Sequence, residues 1–303
     1  MLPRIGLIGL GAMGAPMAKN LLDAGYPLTV SVYRRRAAAE ALAALGATLV
    51  ESPGQLGERS DIVITMVPDA PQVEEALLGP AGAAHTLAAG SVCIDMSTIA
   101  PTATRRIGAA LAERGIALLD APVSGGPARA TTGELAIMVG GERAIFERCQ
   151  PVFECLGGSI TYIGASGSGE VVKLCNNLAI SIIALANFEA LALGVANGVP
   201  AETVRNVLLS ATASNYLLDR WLPNTVFTGD YNQGFAAELL AKDLAAVMET
   251  ARSAGLPLLA GALAEQLWIG QKHRAPRLDY TALAMQYEET LERPLRTTPE
   301  DAE

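Results

Sequence analysis

The 303-residue sequence predicts an α/β protein, in which a doubly wound, mostly parallel sheet precedes a long connecting helix and an all-α C-terminal domain. Three observations carry this prediction. Short apolar, strand-like runs alternate with helix-length stretches in the first half of the chain. A cluster of glycines follows the first of these runs at once. From about residue 169 onward, only helical periodicity remains.

The elements follow from these patterns in chain order. A buried strand at Arg4–Gly9 precedes an amphipathic helix at Ala15–Ala24, which ends at Gly25. Further strands are predicted at Leu28–Tyr33, Asp61–Val67, Ser91–Met96, Ile116–Asp120, Leu135–Gly140 and Ser159–Gly164. Later helices are predicted at Gly169–Asn197, Ala201–Leu209, Phe235–Ala254, Pro257–Gly270 and Asp279–Glu292. The predicted divisions are 1–165 for the sheet domain, 166–198 for an interdomain helix, 199–295 for the helical domain and 296–303 for a mobile tail.

Composition narrows the possible functions. The length exceeds that of one ordinary core, which favours two domains. A net charge of −9 argues against a nucleic-acid partner, because phosphate binding needs clustered cations. The four cysteines and two histidines match no metal or redox spacing. Polar residues interrupt the long apolar helix, and the N-terminal run resembles a strand more than a secretory signal. We therefore expect a cytoplasmic protein without a bound metal or a membrane span.

The glycine cluster has the context of a dinucleotide-binding turn. Its residues lie between a predicted strand and a predicted helix, as in Rossmann domains, and are Gly9, Leu10, Gly11, Ala12, Met13 and Gly14. Gly9 permits a tight turn, Gly11 lets the backbone approach a pyrophosphate, and Gly14 allows close packing of helix on strand. The helix N-terminus offers unpaired N–H groups to the phosphates. The alternative is that the glycines only form a tight turn.

The residues that follow the second predicted strand indicate which dinucleotide is bound. An acidic residue about 20 positions after the glycines would hold the ribose hydroxyl of NAD. Arg34, Arg35 and Arg36 stand there instead. Guanidinium groups bind phosphate through paired donors, so this loop favours NADP(H), with NAD(H) still possible. The alternative is a solvated arginine loop.

Ligands of such sheets bind beyond the carboxyl ends of the strands. Three loops therefore become candidates for the cleft: Met66-Val67-Pro68, Ser97-Thr98 and Ala121 to Gly126. In the third loop, Ser124, Gly125 and Gly126 offer a hydroxyl and bare N–H groups, which suit a carboxylate. A plain tight turn is the alternative.

The long helix carries a polar group on one face. Lys173, Asn176 and Asn177 are spaced i, i+3 and i+4. A desolvated lysine can cycle between ammonium and amine near neutral pH, as a general acid and base must. Asn177 could hold the ammonium or the substrate. The alternative is a lysine whose stem packs while its head reaches water.

Four ordered motifs together resemble the β-hydroxyacid dehydrogenase family over nearly the whole chain. They are the glycine turn, Asp120 to Gly126, Gly169 to Asn177, and Lys242-Asp243-Leu244. The resemblance implies reversible hydride transfer between a nicotinamide and a short β-hydroxyacid or semialdehyde. Substrates of the 3-hydroxyisobutyrate, tartronate semialdehyde, succinic semialdehyde or glyoxylate type are implied.

The resemblance also implies roles for individual residues. Lys173 is expected to be the general acid/base, supported by Asn177, while Ser124, Gly125 and Gly126 bind the substrate carboxylate. Further cofactor and substrate contacts are expected from Met66, Val67, Pro68 and Thr98 on the nicotinamide side, Lys242 near the cofactor, and Phe235 and Asp243 near the substrate. Taken alone, Lys242 and Asp243 would be interpreted as solvated helix charges.

Related families with other activities are the alternatives for this sequence. 6-Phosphogluconate dehydrogenases carry His-Asn after the corresponding lysine and are longer, so sugar phosphates are not expected. Imine reductase-like activity is one alternative, although imine reductases lack the lysine. A non-catalytic NADPH-binding module is another. The apolar helices suggest burial between subunits, and we expect a homodimer or homotetramer acting on a small carboxylate.

Overall fold

The computed structural model describes residues 2–32, 36–232 and 234–296. The chain divides into two compact units, Met1–Leu174 and Cys175–Glu303. The division falls within one helix, so a single helix begins in the first unit and continues into the second.

The described residues of unit 1 form a nine-stranded sheet, with the central order β3-β2-β1-β4-β5-β6 and the further strands β8, β7 and β9. The strands are β1 Ile5–Ile8, β2 Leu28–Ser31, β3 Thr48–Val50, β4 Ile62–Thr65, β5 Val92–Asp95, β6 Ala117–Asp120, β7 Val123–Ser124, β8 Leu135–Gly140 and β9 Gly157–Gly164. Strands β1 to β6 pair in parallel, while β8 runs antiparallel to β6 and β7 and parallel to β9. This topology confirms the predicted α/β fold.

Helices cover both faces of the sheet. They are α1 Gly14–Asp23, α2 Arg36–Ala44, α3 Pro53–Gly57, α4 Ala70–Leu78, α5 Pro101–Ala112, α6 Gly126–Thr132, α7 Arg143–Glu154 and the start of α8 Ser168–Ala196. Successive strand residues point to opposite faces. Ile64 accordingly packs in a core that includes Met17 of α1. Its neighbour Val63 packs in a second core with Leu77 of α4. These two buried cores account for the doubly wound arrangement.

Two strands were not predicted, because each is too short to show a period. β3 has three residues and β7 has two. β7 forms only through pairing with β8, in which Ser124 lies opposite Ala136. The other strands lie within or beside the predicted runs, since four or more apolar residues in sequence leave a clear signal.

Unit 2 contains the rest of α8 and four further helices among its described residues. These are α9 Ala201–Ser210, α10 Ala237–Ser253, α11 Leu259–Arg274 and α12 Met285–Leu291, with a π-helical turn at Leu217–Trp221 and 3₁₀ turns at Leu222–Asn224 and Tyr280–Ala284. Its core is formed by large, fully buried side chains such as Phe188 and Trp268. The helical C-terminal region agrees with the predicted fold class.

The predicted helix over Asp279–Glu292 is wrong in its first turn, which is 3₁₀. The Asp279 carboxylate accepts a hydrogen bond from the Thr281 N–H at 3.0 Å. In addition, the Tyr280 N–H donates to the Phe235 carbonyl oxygen at 2.8 Å. These contacts tighten the turn, and the α-helix begins only at Met285.

Helix α8 has 29 residues and is about 43 Å long. By length and composition alone, it is the one helix among the described residues that could cross a membrane. This differs from the expectation that its polar residues would break every such window. The polar side chains of Asn177, Ser181 and Asn187 are nevertheless buried. Core helices of water-soluble proteins pass the same test.

Candidate active site

A tight turn joins β1 to α1 and carries the glycine cluster. Its first helical hydrogen bond runs from the Ala15 N–H to the Gly11 carbonyl oxygen, at 3.1 Å. Among the described residues, the N–H groups of Gly11, Ala12 and Met13 have no acceptor, as is usual at the start of a helix. A Cβ placed on Gly11 would meet no atom within 4 Å. The turn therefore presents open backbone donors, which fit a pyrophosphate.

The glycine turn lies against the loop that follows β4. A Cβ on Gly9 would collide with the Met66 carbonyl oxygen, so only glycine allows this approach. The adjacent Val67 N–H donates to the Ser97 hydroxyl at 3.0 Å. The structure thus brings the predicted residues Gly9, Met66 and Val67 together with the Ser97-Thr98 loop at the carboxyl edge of the sheet.

The structure does not describe residues 33–35, so the predicted roles of Arg34 and Arg35 lie outside the described residues. Arg36 is described, and its guanidinium pairs with the Glu51 carboxylate at 2.9 Å. Glu51 directly follows β3. One of the three arginines is therefore already paired with a carboxylate.

The Ser124-Gly125-Gly126 segment turns sharply from β7 into α6. Both glycines have positive φ, 132° at Gly125 and 68° at Gly126. Such angles strain any residue with a Cβ, and a Cβ on Gly125 would also approach Arg129 Cδ to 2.7 Å. The turn holds Ser124 half-buried beside the first N–H groups of α6. This arrangement can present a hydroxyl and N–H donors to a carboxylate.

Helix α8 carries two of the predicted residues on buried positions one turn apart. Lys173 is 8 % exposed and Asn177 is 2 % exposed. A lysine whose head reaches bulk water would be far more exposed, so the burial favours a functional interpretation. Asn176 differs from the prediction that it shares their environment, because it is exposed. Its amide still donates to Asn177 Oδ1 at 3.0 Å.

Asn177 belongs to a hydrogen-bonded cluster in unit 2. Its amide nitrogen donates to Asp243 Oδ2 at 2.6 Å, and both residues are buried. Asp243 Oδ1 lies 2.8 Å from Lys242 Nζ. The alternative that these are two solvated helix charges is therefore wrong for Asp243, which is buried, while Lys242 is half-buried. The tertiary fold brings Asn177, Lys242 and Asp243 together.

Phe235 is held by a buried carboxylate and by an aromatic neighbour. Its N–H donates to Asp279 Oδ2 at 2.8 Å, and its ring packs edge-on against Tyr280. Asp279 also accepts a hydrogen bond at 3.2 Å from the indole N–H of Trp221, the last residue of the π-helical turn. Burial raises the pKa of Asp279, against the hydrogen bonds donated to it, which lower it. Asp279 thereby anchors the backbone that presents the Phe235 ring.

Sequence reasoning assigned no role to four buried carboxylates close to the predicted residues. They are Asp95, Asp120, Glu170 and Asp279. A signal was present for the first two, because each is an acidic residue that ends an apolar strand, where a charge is costly without partners. Burial raises the pKa of Asp95 and of Asp120.

The fold and these loops define an oxidoreductase-type NAD(P)-binding protein, with a glycine turn on a parallel sheet and a buried lysine near the start of α8. Comparison with known families agrees. Residues 4–164 match the family described as the NAD binding domain of 6-phosphogluconate dehydrogenase. Residues 167–287 match the family described as NAD-binding of NADP-dependent 3-hydroxyisobutyrate dehydrogenase.

Individual relatives support the same assignment. An NAD-dependent L-serine dehydrogenase of Pseudomonas aeruginosa is 41 % identical, with 88 % of this chain and 91 % of the relative covered. A 2-hydroxy-3-oxopropionate reductase of Escherichia coli is 39 % identical, with 94 % and 97 % covered. The structure of Mycobacterium tuberculosis 3-hydroxyisobutyrate dehydrogenase with L-serine has a TM-score of 0.86 and 30 % identity, covering 94 % of this chain and 99 % of that chain.

This chain belongs to the β-hydroxyacid dehydrogenase family of NAD(P)-dependent oxidoreductases. The resemblance drawn from the four sequence motifs is confirmed. An imine reductase from Myxococcus stipitatus shares 21 % identity at a TM-score of 0.66, which shows a common fold alone.

Proposed function

We propose that this enzyme transfers a hydride between NADP(H) and a short carboxylate that bears a β-hydroxyl or β-aldehyde group. The observation that carries the proposal is the buried Lys173, one helical turn before Asn177, whose amide is bonded to the buried Asp243. A buried amine beside polar partners suits proton exchange with a hydroxyl group. When bound, the nicotinamide supplies or accepts the hydride.

Lys173 is the proposed general acid/base. In the reductive direction its ammonium gives a proton to the oxygen of the aldehyde, and in the oxidative direction its amine removes the proton of the hydroxyl. Asn177 is proposed to orient this group. Its side chain is suited to that task, because the Asp243 and Asn176 hydrogen bonds fix the orientation of its amide.

Substrate binding is assigned to a separate set of residues. Ser124, Gly125 and Gly126 are proposed to hold the substrate carboxylate, supported by the two positive φ angles that shape this turn. Further proposed substrate contacts are Thr98, Phe235 and Asp243.

The cofactor is proposed to lie along the carboxyl edge of the sheet. Its pyrophosphate would lie against the glycine turn, where the N–H groups of Gly11, Ala12 and Met13 are open. Gly9, Leu10 and Gly14 complete this proposed cofactor-binding turn. Met66, Val67, Pro68 and Thr98 would line its nicotinamide side, and Lys242 would lie near it. Arg34 and Arg35 are proposed to bind a 2′-phosphate, which underlies the preference for NADP(H) over NAD(H).

A substrate panel tests the activity. Initial rates are followed at the NAD(P)H absorbance band with succinic, methylmalonic and tartronic semialdehydes and glyoxylate, and in reverse with 3-hydroxyisobutyrate and L-serine. L-serine is included because two relatives are named for it or bind it. An NADPH-linked rate with a member of this panel supports the proposal. Turnover of imines alone would favour the imine reductase alternative, and cofactor binding without any turnover would indicate a non-catalytic module.

Lys173→Met tests the catalytic role while keeping the length of the side chain. General acid catalysis is worth about 10² to 10⁴ in rate, so kcat should fall by that factor with little change in cofactor affinity. Lys272→Met is the matched control, since Lys272 is exposed on α11. Turnover of the Lys173 variant within tenfold of wild type would contradict the role.

Arg35→Ala tests the cofactor preference. Loss of a charged hydrogen bond to phosphate should weaken NADPH binding by about tenfold or more and leave NADH binding nearly unchanged. Equal losses for both cofactors in a fluorescence titration would rule out the phosphate assignment.

We also propose a cytoplasmic homodimer or homotetramer. Unit 2 exposes large apolar side chains on several helices, including Leu193 on α8 and Leu259 and Leu263 on α11. Such exposure is typical of surfaces buried between subunits. Light scattering coupled to size exclusion measures the mass directly, and a monomer at micromolar concentration would contradict the proposal.

A further inference from the structure

A row of buried polar side chains crosses the carboxyl edge of the sheet in unit 1. Thr65 of β4 lies in register with Asp95 of β5, which lies in register with Asp120 of β6. Each is at most 1 % exposed. The Thr65 hydroxyl donates to Asp95 Oδ1 at 2.8 Å, and the Ser97 N–H donates to the same oxygen at 3.1 Å. Asp95 therefore fixes the loop that follows β5.

The Asp120 carboxylate contacts the start of helix α8 instead of the loop after β5. Oδ1 accepts from the Gly167 N–H at 2.8 Å, and Oδ2 accepts from the Glu170 N–H at 3.1 Å. These donors stand just before and within the first turn of α8, where a helix has N–H groups without intrahelical partners. A strand residue thus caps the helix that carries Lys173. Burial raises the pKa of Asp120, while these N–H groups lower it.

The approach of α8 to the strand ends depends on Gly169. A Cβ at this position would lie 2.9 Å from Asp120 Oδ2 and would collide with the Met138 carbonyl oxygen. Gly169 is therefore needed for α8 to begin directly against Asp120.

Glu170 links the start of α8 to the loop that follows β5. Its carboxylate, which is fully buried, accepts from the Ile99 N–H at 3.2 Å. Ile99 directly follows Thr98, which is proposed to lie beside the nicotinamide. The Glu170 N–H is itself bonded to Asp120. Asp120 and Glu170 together hold the Thr98 loop and the start of α8 in one arrangement.

We infer that Asp120 is a positioning residue, which fixes Lys173 and the Thr98 loop relative to each other without contacting substrate. Lys173 follows Glu170 by three residues, so the point at which α8 is capped sets the position of its amine along the helix axis. The inference rests on the proposed function of Lys173. It assigns to Asp120 a role separate from that of the Ser124 to Gly126 turn.

Asp120→Asn tests the inference with little change in volume. An amide nitrogen cannot accept a hydrogen bond, so one of the two backbone donors loses its acceptor. A displacement near 1 Å can cost about a hundredfold in rate. We expect kcat to fall by about ten- to a hundredfold, with substrate KM and cofactor Kd changed less than about threefold. The isotope effect with cofactor deuterated at C4 should rise, because the chemical step becomes slower.

Ser60→Ala is the control for a purely structural effect. Ser60 is also buried in unit 1, and its hydroxyl donates to the Leu56 carbonyl oxygen at 2.7 Å, away from the carboxyl edge. It should lower Tm without changing kcat or the isotope effect. An Asp120→Asn enzyme with wild-type kcat would overturn the inference and leave the proposed function intact. A wild-type enzyme that is inactive across the panel would instead count against the proposed function.

Two further measurements keep the test decisive if Asp120→Asn does not fold. Glu170→Met retains volume but leaves the Ile99 N–H without its acceptor, so kcat should again fall by about tenfold or more. Hydrogen exchange in the wild-type protein should show slow exchange at the Gly167 and Glu170 N–H groups. Fast exchange of both groups, as in an uncapped helix start, would overturn the inference.

Discussion

The hydrogen bond between Asn177 and Asp243 offers a quantitative test of the site in unit 2. Asn177→Ala removes an amide that donates to a buried carboxylate at 2.6 Å. Because the acceptor is charged, the bond is of the stronger kind, worth about 1.5–3 kcal/mol. The variant should therefore destabilise unit 2 and impair catalysis together.

The structure indicates that the loss in the free energy of unfolding lies toward the lower end of that range. Asp243 retains its ion pair with Lys242 at 2.8 Å, so the carboxylate is not left bare. We expect a loss of about 2 kcal/mol in the free energy of unfolding, which is a factor of about 30 in the unfolding equilibrium. Replacement of the exposed Asn206 on α9 by alanine should cost less than about 0.5 kcal/mol, which makes it a control outside the cluster.

Tryptophan fluorescence during urea denaturation reports on the unfolding of unit 2. Both tryptophans of the chain, Trp221 and Trp268, lie within Cys175–Glu303. A double-mutant cycle of Asn177→Ala and Asp243→Asn then measures the coupling between the two side chains. Direct partners should show a coupling of about 1–2 kcal/mol.

A loss below 0.5 kcal/mol for Asn177→Ala, or strictly additive single variants, would refute this reasoning. Either result would mean that the 2.6 Å contact contributes no net stability and that Asn177 does not depend on Asp243 for its orientation. Its proposed support of Lys173 would then lack a structural basis.

Two other predictions concern titrating groups. The pKa of Asp95 is raised in the folded protein, chiefly by burial, and its Oδ2 has no partner among the described residues. A raised folded pKa gives stability at pH values below the unfolded pKa of about 4, and this stability is lost as pH rises through the folded value. Asp95→Asn should therefore flatten the fall of Tm as the pH rises above about 4, and parallel Tm curves would contradict this. Burial raises the pKa of Cys93 to about 12 and of Cys149 to about 11, whereas Cys175 is exposed. Cys175→Ser should accordingly remove the fastest phase of thiol labelling at pH 8, and a persisting phase would show that another thiol is accessible.

The sheet and most helices were predictable, because their periodicity is local. Strand β4 and helix α8 illustrate this, since apolar runs of suitable length mark both. The two-residue β7 was not predictable, because it exists only through pairing with β8. The 3₁₀ turn at Tyr280 likewise depends on the Asp279 carboxylate and on a distant backbone contact with Phe235.

The candidate site likewise contains residues that could be predicted from the sequence and contacts that could not. The glycine turn and Lys173 could be found from spacing, because their chemistry depends on neighbours in the chain. The burial of Asp243 could not, since 66 residues separate it from its hydrogen-bond partner Asn177. The capping of α8 by Asp120 spans 47 residues to Gly167 and is equally invisible to local patterns.

The sequence by itself determined the α/β class, the glycine turn and the family, because each rests on residue types at short, fixed spacing. Only the tertiary structure decided that Asp120 and Glu170 join α8 to the Thr98 loop and that the buried Asp243 contacts both Lys242 and Asn177. The physical reason is that burial and hydrogen-bond partners of charged groups depend on which distant segments pack together. A carboxylate looks the same in sequence whether it faces water or caps a helix.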